Sequence, residues 1–228
     1  MNCFRFLPLL AFILLCSCGD STNPQENQGP TAIDYLFAGN PGSQIQYTIA
    51  FTETDSNGIK PTLMDTVTWT VLDRNFSHPI WGNCVKMHQF ARGQNNPKGF
   101  GIDYYFGLYN NSLYLFPSLT DSLGIITMKN PLTIGNHWID KGNPNFESDK
   151  ECTIQEIDVP ILTTYKTLNT IRIDSKDTLF RSTGNIVENS KEYYAQGLFL
   201  VHSERTSNNI KTNVQSLSII DLIRYTKK

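Results

Sequence analysis

The residue types that most often carry chemistry are sparse in this chain and form no known catalytic or metal-binding pattern. None of the four histidines, His78, His88, His137 and His202, lies two or four residues from another. This spacing lacks the paired ligands of common zinc motifs, so we expect no metal site. The glycine-flanked serine of α/β hydrolases and the glycine-rich loops that cradle nucleotides are also absent. We therefore expect no catalytic residue and no cofactor.

A run of carboxylates near the middle of the chain is the best sequence argument for catalysis. In "ESDKE", Glu147, Asp149 and Glu151 alternate, so an extended segment would present all three on one side. With Glu156 and Asp158 they could act as general acid and base on an envelope glycan or lipid. A solvated loop explains the same pattern, and we favour it over a hydrolase.

An aromatic stretch, "YYFGLYNNSLYLF" from Tyr104 to Phe116, is the most suggestive binding feature. A strand there would have two apolar faces, which is typical of burial on both sides or of one face that lines a ligand cavity. Core packing is the simpler interpretation, because apolar strands mostly build cores. If the protein binds a ligand, four aromatic residues are the candidates for contact with it: Trp69, Tyr105, Tyr109 and Tyr194.

The elements that must position these residues have the pattern of β-strands. Apolar and polar residues alternate in "SQIQYTIAFTET" and "DTVTWTVLD", which predicts strands with one apolar face. Turn residues separate such segments, at "DSNG", Asn110-Asn111, Gly184-Asn185 and Asn208-Asn209. A long antiparallel meander must close or curl to hide its edges. We therefore predict an all-β fold with a strongly curved antiparallel meander sheet or an open barrel.

The N-terminus has the pattern of a lipoprotein signal peptide. Arg5 precedes an apolar run, Phe6 to Leu15, that is too short to cross a bilayer as a helix. The following "LCSC" resembles the bacterial lipobox, which implies cleavage before Cys18 and diacylglycerol attachment to the Cys18 sulfur. An uncleaved anchor or an ordinary secretory signal is the alternative. Gly19 implies the outer membrane, by resemblance to the sorting rule of Gram-negative lipoproteins, on either its periplasmic or its external side.

This interpretation divides the chain into three parts. We expect a signal peptide over residues 1–17, the lipidated cysteine and a flexible tether over residues 18–30, and one β-rich domain over residues 31–228. The 228-residue chain has 19 basic and 21 acidic residues and a net charge of −2, without a basic run. Nucleic acid is therefore a poor partner, and we expect membrane contact through the acyl chains.

Two cysteines, Cys84 and Cys152, lie beyond the N-terminal region. The envelope outside the inner membrane is oxidising, so these two residues could form a disulfide. It would close a loop of about 70 residues and contribute about 4 kcal/mol by the chain-entropy model. Two separate buried thiols are the alternative, and the spacing matches no zinc motif.

Three segments of the second half carry a family resemblance: "PLTIGNHW", "IDVPILTTYKTLNTIRI" and "EYYAQGLFLVHSE", in this order. They resemble uncharacterised secreted and lipid-anchored bacterial proteins of the domain-of-unknown-function 3108 type. The resemblance covers roughly residues 124–228, and Leu162 and Phe199 stand at positions where the pattern has glycine. It implies a curved antiparallel sheet and offers no established catalytic residues.

The sequence thus predicts a lipid-anchored envelope protein that is not an enzyme and that binds a hydrophobic ligand or an envelope protein. One alternative is an envelope hydrolase that acts through paired carboxylates. The other is a structural component of an envelope complex, which would have an exposed apolar patch and no deep cavity.

Overall fold

The computed structural model describes residues 29–94, 96–120, 122–141, 150–179 and 185–228, and most of these residues lie in strands. The helical content of these ranges is a single 3₁₀ turn, Ala32–Tyr35. The strands are β1 (Gln44–Asp55), β2 (Gly58–Ile59), β3 (Leu63–His78), β4 (Gly82–Gly93), β5 (Phe100–Tyr109), β6 (Ser112–Phe116), β7 (Ile125–Lys129), β8 (His137–Asp140), β9 (Lys150–Leu162), β10 (Thr167–Leu179), β11 (Ile186–Ala195), β12 (Phe199–Asn209) and β13 (Val214–Thr226). The predicted all-β class is confirmed.

These strands form one antiparallel sheet that is nearly closed into a barrel. Its order is β7-β6-β5-β4-β3-β1-β13-β12-β11-β10-β9-β8, and the short β2 pairs with β1 outside this path. The pairing of β1 with β13 joins the two halves of the chain, with Gln44 opposite Thr226. The end strands β7 and β8 lie close together without pairing. The predicted curved meander or open barrel is therefore confirmed.

The described hairpin turns lie where the sequence predicts them, except for the turn between β12 and β13, which is shifted along the chain. Asn110 and Asn111 join β5 to β6 with φ values of 46° and 57°, as a two-residue hairpin turn requires. The turn between β12 and β13 lies at residues 210–213, not at Asn208-Asn209 as predicted. The Asn209 side chain explains the shift, because its Oδ1 accepts hydrogen bonds from the backbone of Lys211 and Thr212 and organises the turn after it. Gly184 lies outside the described residues.

The apolar face of the meander points into the barrel and forms the main core. Ile45 and Tyr47 of β1 pair with Trp69 and Val67 of β3, so the alternation in the two strands brings their apolar side chains to the same inner face. Since no helix covers this face within the described ranges, the sheet buries it by curling around it. The largest fully buried side chains of this core include Phe37, Phe106, Leu113, Met128, Ile154 and Ile171.

One end of the barrel is closed by residues 31–39, which we call the N-terminal plug. Phe37 is fully buried there and packs edge-to-face on Tyr225, with 5.3 Å between ring centroids. Backbone groups of the plug form hydrogen bonds with strand β3 and with the loops that contain Asn130 and Gly197. The Ala32 amide donates to Asn130 Oδ1, the Gly197 amide donates to the Asp34 carbonyl, and Arg74 Nη1 donates to the Phe37 and Gly39 carbonyls, at 2.8–2.9 Å. The plug is therefore an integral part of the fold.

Removal of the Phe37 ring should destabilise the domain strongly. For Phe37→Ala we expect a loss of about 3–4 kcal/mol in the free energy of unfolding, because a cavity replaces a completely buried ring. Urea denaturation followed by tryptophan fluorescence measures this change. Ile33→Ala, at a plug residue that is 39% exposed, is the control and should cost less than about 1 kcal/mol. Equal effects of the two substitutions would contradict the packing role of the plug.

Candidate functional site

The interior of the barrel is not completely filled and contains a cavity of about 420 Å³. This volume lies within the range of sites for small molecules. Its apolar lining comes from strands on opposite sides of the barrel and includes Trp69, Phe106, Leu115, Ile126, Phe199 and Leu200. The curled sheet thus brings together residues that lie far apart in the chain, such as Trp69 and Phe199, which are about 130 positions apart.

A continuous row of aromatic rings lines the cavity. Trp69 of β3 contacts Phe106 of β5, with 5.8 Å between centroids, and Phe106 meets the ring of Phe199 of β12 edge-on at 5.1 Å. Phe199 in turn contacts Tyr194 of β11 at 5.2 Å. Such edge-to-face contacts fix ring orientations, so the row offers a preformed apolar surface.

A β-bulge sets the position of Phe199 and Leu200 in this row. Tyr193 pairs with His202, whereas the next residue, Tyr194, pairs with Leu200, so β12 contains one extra residue. Phe199 has a φ of 62°, a left-handed conformation that is uncommon for a bulky residue. The bulge and this conformation together let two consecutive side chains line the cavity, which a regular strand would not allow.

A cluster of charged side chains surrounds a buried carboxylate beside the aromatic row. Glu192 is 7% exposed, and its Oε1 lies 3.6 Å from Lys150 Nζ and 3.4 Å from Arg205 Nη2. The Tyr194 hydroxyl donates a hydrogen bond of 2.8 Å to Glu192 Oε2. Both carboxylate oxygens therefore have partners, which a buried charge requires.

The electrostatics keep these groups ionised. Burial alone would raise the pKa of the Glu192 carboxyl, but Lys150, Arg205 and the Tyr194 hydroxyl outweigh it and lower that pKa below its usual value. Burial also lowers the pKa of Lys150, yet the charge of Glu192 prevails and the pKa of the ammonium group is raised. The pKa of the Tyr194 hydroxyl is raised, mainly by burial and to a smaller extent by the negative charge of Glu192. The cluster is thus an ion-paired network around neutral Tyr194.

The four aromatic residues nominated from the sequence do not form one site. Trp69 and Tyr194 line the cavity. Tyr105 faces the opposite side of the sheet and packs against Cys84 and Phe116 in a small separate cluster. Tyr109 is 49% exposed and contacts Trp81, 5.2 Å away. The strand alternation that points Phe106 inward necessarily turns its neighbour Tyr105 outward, so two of the four nominations are outside the cavity.

The carboxylates nominated for hydrolysis are also outside the cavity, as far as the structure describes them. Glu147 and Asp149 lie outside the described residues. Glu151 lines a depression on the outer face of the sheet. Glu156 accepts a hydrogen bond of 2.6 Å from Arg172, and Asp158 is exposed with a φ of 58°.

The histidines take structural or surface positions. His78 is buried, and the other three each lie near a polar partner: His88 by Asp103, His137 by Thr153 and His202 by Asp221. No group of three or more potential metal-ligating side chains occurs among the residues described. The same ranges contain no helix that is long and apolar enough to span a membrane.

The structure does not form the predicted bridge between Cys84 and Cys152. Both are free, buried thiols. Cys152 belongs to the main core inside the barrel, whereas Cys84 packs in the small cluster on the other face of the sheet. Strand alternation turns the two side chains to opposite faces, which spacing along the chain could not reveal.

Sequence patterns did not identify several residues of the cavity, above all Lys150, Glu192 and Arg205. One signal was available for Glu192: in β11, Ser190, Glu192 and Tyr194 alternate, so Glu192 shares the inner face with an aromatic residue. The partners Lys150 and Arg205 come from other strands, and no local pattern marks them. They meet Glu192 because β9 and β12 curl toward the same interior.

Substitution of Glu192 by glutamine should destabilise the fold in a pH-dependent way. Glu192→Gln retains the shape but leaves Lys150 without its carboxylate and Arg205 with Glu188 alone, which we expect to cost about 2 kcal/mol at pH 7. This value is below that of a fully buried pair because the side chains of Lys150 and Arg205 are 24% and 42% exposed. Urea denaturation of both proteins at a series of pH values measures the difference.

The sign of the pH dependence follows from the lowered pKa of Glu192. The extra stability of the wild type is fully present above the unfolded-state pKa of about 4.5 and is lost as the pH falls through the folded-state pKa. Glu204→Gln, at a side chain that is 47% exposed, is the control and should have little effect. A wild-type advantage that grows toward low pH would contradict the assigned ion pairs.

We expect Cys84 and Cys152 to react as two free thiols in an alkylation experiment. The experiment uses a secreted form that begins at Gly19, in which these two residues are the remaining cysteines. When this form is denatured without reductant and treated with iodoacetamide, mass spectrometry should detect two alkylated cysteines. The native protein should react slowly, because burial raises the pKa of the Cys84 thiol and raises that of Cys152 to about 12. A denatured protein that reacts only after reduction would show a disulfide.

Comparisons with known proteins define the fold and leave the family open. No protein-family model and no curated protein matches the chain, so the resemblance to the domain-of-unknown-function 3108 type stays a prediction. Among solved structures, the chain is similar to a "putative exported protein with YmcC-like fold" from Bacteroides fragilis, with a TM-score of 0.54 and 16% identity over 84% of this chain and 99% of that one. A "putative lipoprotein" from Parabacteroides distasonis gives a TM-score of 0.47 at 15% identity, over 84% of this chain and 98% of that one. The chain thus has an architecture similar to the YmcC-like fold.

Proposed function

We propose that this protein is a lipid-anchored, non-catalytic protein of the cell envelope that binds a small hydrophobic or amphipathic molecule inside its barrel. The single observation that carries the proposal is the cavity of about 420 Å³ with its row of aromatic rings. Apolar cavities of this size with a few convergent polar groups are the usual form of small-molecule sites.

Two observations support the envelope location. The N-terminal sequence has a short apolar run that ends at the lipobox-like "LCSC", which favours attachment of lipid to Cys18. The Bacteroides fragilis protein of similar fold is itself named as exported. Gly19 favours the outer membrane as the site of the anchor, which we include in the proposal.

The ligand proposal has more support than the two alternatives. A hydrolase needs a carboxyl group that stays protonated near neutral pH to act as general acid, which a raised pKa provides. The buried carboxyl of Glu192 instead has a lowered pKa and is held in ion pairs. A purely structural component would be expected to lack a deep cavity, whereas the interior of this barrel contains a cavity of about 420 Å³.

The first experiment is extraction of the secreted form that begins at Gly19, purified without detergent. This form retains all of the buried core described here, which extends from Ala32 to Leu222. We expect organic extracts to contain an apolar molecule in stoichiometric amount by mass spectrometry. An empty protein that also fails to bind any of a panel of alkyl probes would contradict the proposal.

A cavity-filling variant provides a sharper test. Leu200→Trp adds bulk to the cavity lining and should reduce co-purified ligand by about ten-fold or more, because the ligand and the indole compete for the same volume. Leu72→Trp, at a leucine of β3 that is 44% exposed and does not line the cavity, is the matched control and should retain the ligand. Thermal unfolding of both variants verifies that the fold is intact. Equal retention of ligand would place the binding site elsewhere.

A further inference from the structure

The charged groups that line the cavity do not balance among the described residues. Two cationic side chains, Lys150 and Arg205, lie beside three carboxylates of the same wall, which are Asp177, Glu188 and Glu192. The surplus of negative charge lies in a partly enclosed space, where water screens charges less well than at an open surface and an unbalanced carboxylate costs free energy.

The existing ion pairs occupy both cationic groups. Lys150 lies 3.6 Å from Glu192. Arg205 spans two carboxylates, with Nη2 at 3.4 Å from Glu192 and Nε at 3.3 Å from Glu188. No ion pair of this cluster reaches Asp177, and its Oδ1 is a buried oxygen without a hydrogen-bond partner.

The sheet register brings two of the carboxylates into direct opposition. Asp177 of β10 and Glu188 of β11 are cross-strand partners and both line the cavity. Like charges directly opposite each other in a sheet are destabilising. Two carboxylates in this position, one with a buried unpartnered oxygen, form an acceptor pair that a cationic hydrogen-bond donor would satisfy.

The acceptor pair lies at one end of the aromatic row. Along the inner face of β11, Glu188, Ser190, Glu192 and Tyr194 follow in order, from the open end of the barrel toward the plug. Tyr194 contacts Phe199, which continues the row toward Phe106. A molecule that occupies the whole cavity would therefore meet carboxylates at one end and aromatic rings at the other.

A bare metal ion fits this arrangement poorly. No three potential ligand side chains of the described residues converge on one point, as a protein-bound divalent cation requires. An ammonium group needs separate acceptors for its three N–H donors and can use carboxylates that are spread along a wall.

We propose that the cavity selects an amphipathic organic cation, whose ammonium group lies between Asp177 and Glu188 and whose apolar body packs on the aromatic row. This inference rests on the proposed function and adds the charge of the ligand to it.

Three probes with the same alkyl chain separate charge from apolar burial: decylammonium, decanol and decanoate. Isothermal titration of the secreted form, at concentrations below micelle formation, gives the three dissociation constants. We expect decylammonium to bind at least about ten-fold more tightly than decanol, and decanoate to bind most weakly, because a charge-assisted hydrogen bond contributes about a ten-fold difference or more.

A conservative substitution tests the assigned head-group site. Asp177→Asn should weaken decylammonium about ten-fold and leave decanol unchanged, since it removes one charge and retains the shape. The control is Asp174→Asn on the outer face of the same strand, which changes the net charge equally and should alter neither constant. Thermal unfolding verifies the fold of both variants, and Asp177→Ser is the second variant if Asp177→Asn is unstable.

The outcomes distinguish this inference from the function on which it rests. Decanol binding without a preference for decylammonium, or equal effects of Asp177→Asn and Asp174→Asn, would overturn the cation proposal and leave a neutral hydrophobic ligand. Failure of all three probes to bind, together with an empty extract, would overturn the cavity function itself.

Discussion

The rest of this structure depends on the need to bury one apolar face of a long antiparallel sheet without help from a helix. Apolar side chains of most strands meet on the inner side of the sheet, and within the described ranges only a single 3₁₀ turn is helical. Hydrophobic burial contributes about 25 cal/mol per Å², so leaving this face in water would forfeit most of the driving force for folding. The sheet therefore curls until its ends, β7 and β8, lie close together.

Curling a sheet of this width encloses more space than its own side chains fill. The N-terminal plug occupies one end, where Phe37 packs on Tyr225 and the plug backbone forms hydrogen bonds with strand β3 and with two loops. Toward the other end the interior remains open as the cavity of about 420 Å³. The plug and the cavity are thus two consequences of the same curvature, one structural and one available for binding.

The charged cluster shows how an apolar interior accommodates a carboxylate. Glu192 is held by two cationic groups and a tyrosine hydroxyl, which together outweigh the cost of burial and keep its pKa low. A fully apolar replacement of similar shape could be as stable, because buried ion pairs seldom contribute net stability.

The sequence by itself determined the strands, their inner faces and the meander, because an alternation of period two is local and each strand carries it independently. It also indicated a lipid anchor at Cys18, in residues that lie outside the described ranges. It could not tell that Tyr105 and Cys84 face away from the cavity, because apolar residues occur on both faces of their strands and alternation alone does not say which face lies inside the barrel. The meeting of Lys150, Glu192 and Arg205, and the opposition of Asp177 and Glu188, were decided only by the tertiary structure, because they depend on the register and curvature of strands far apart in the chain.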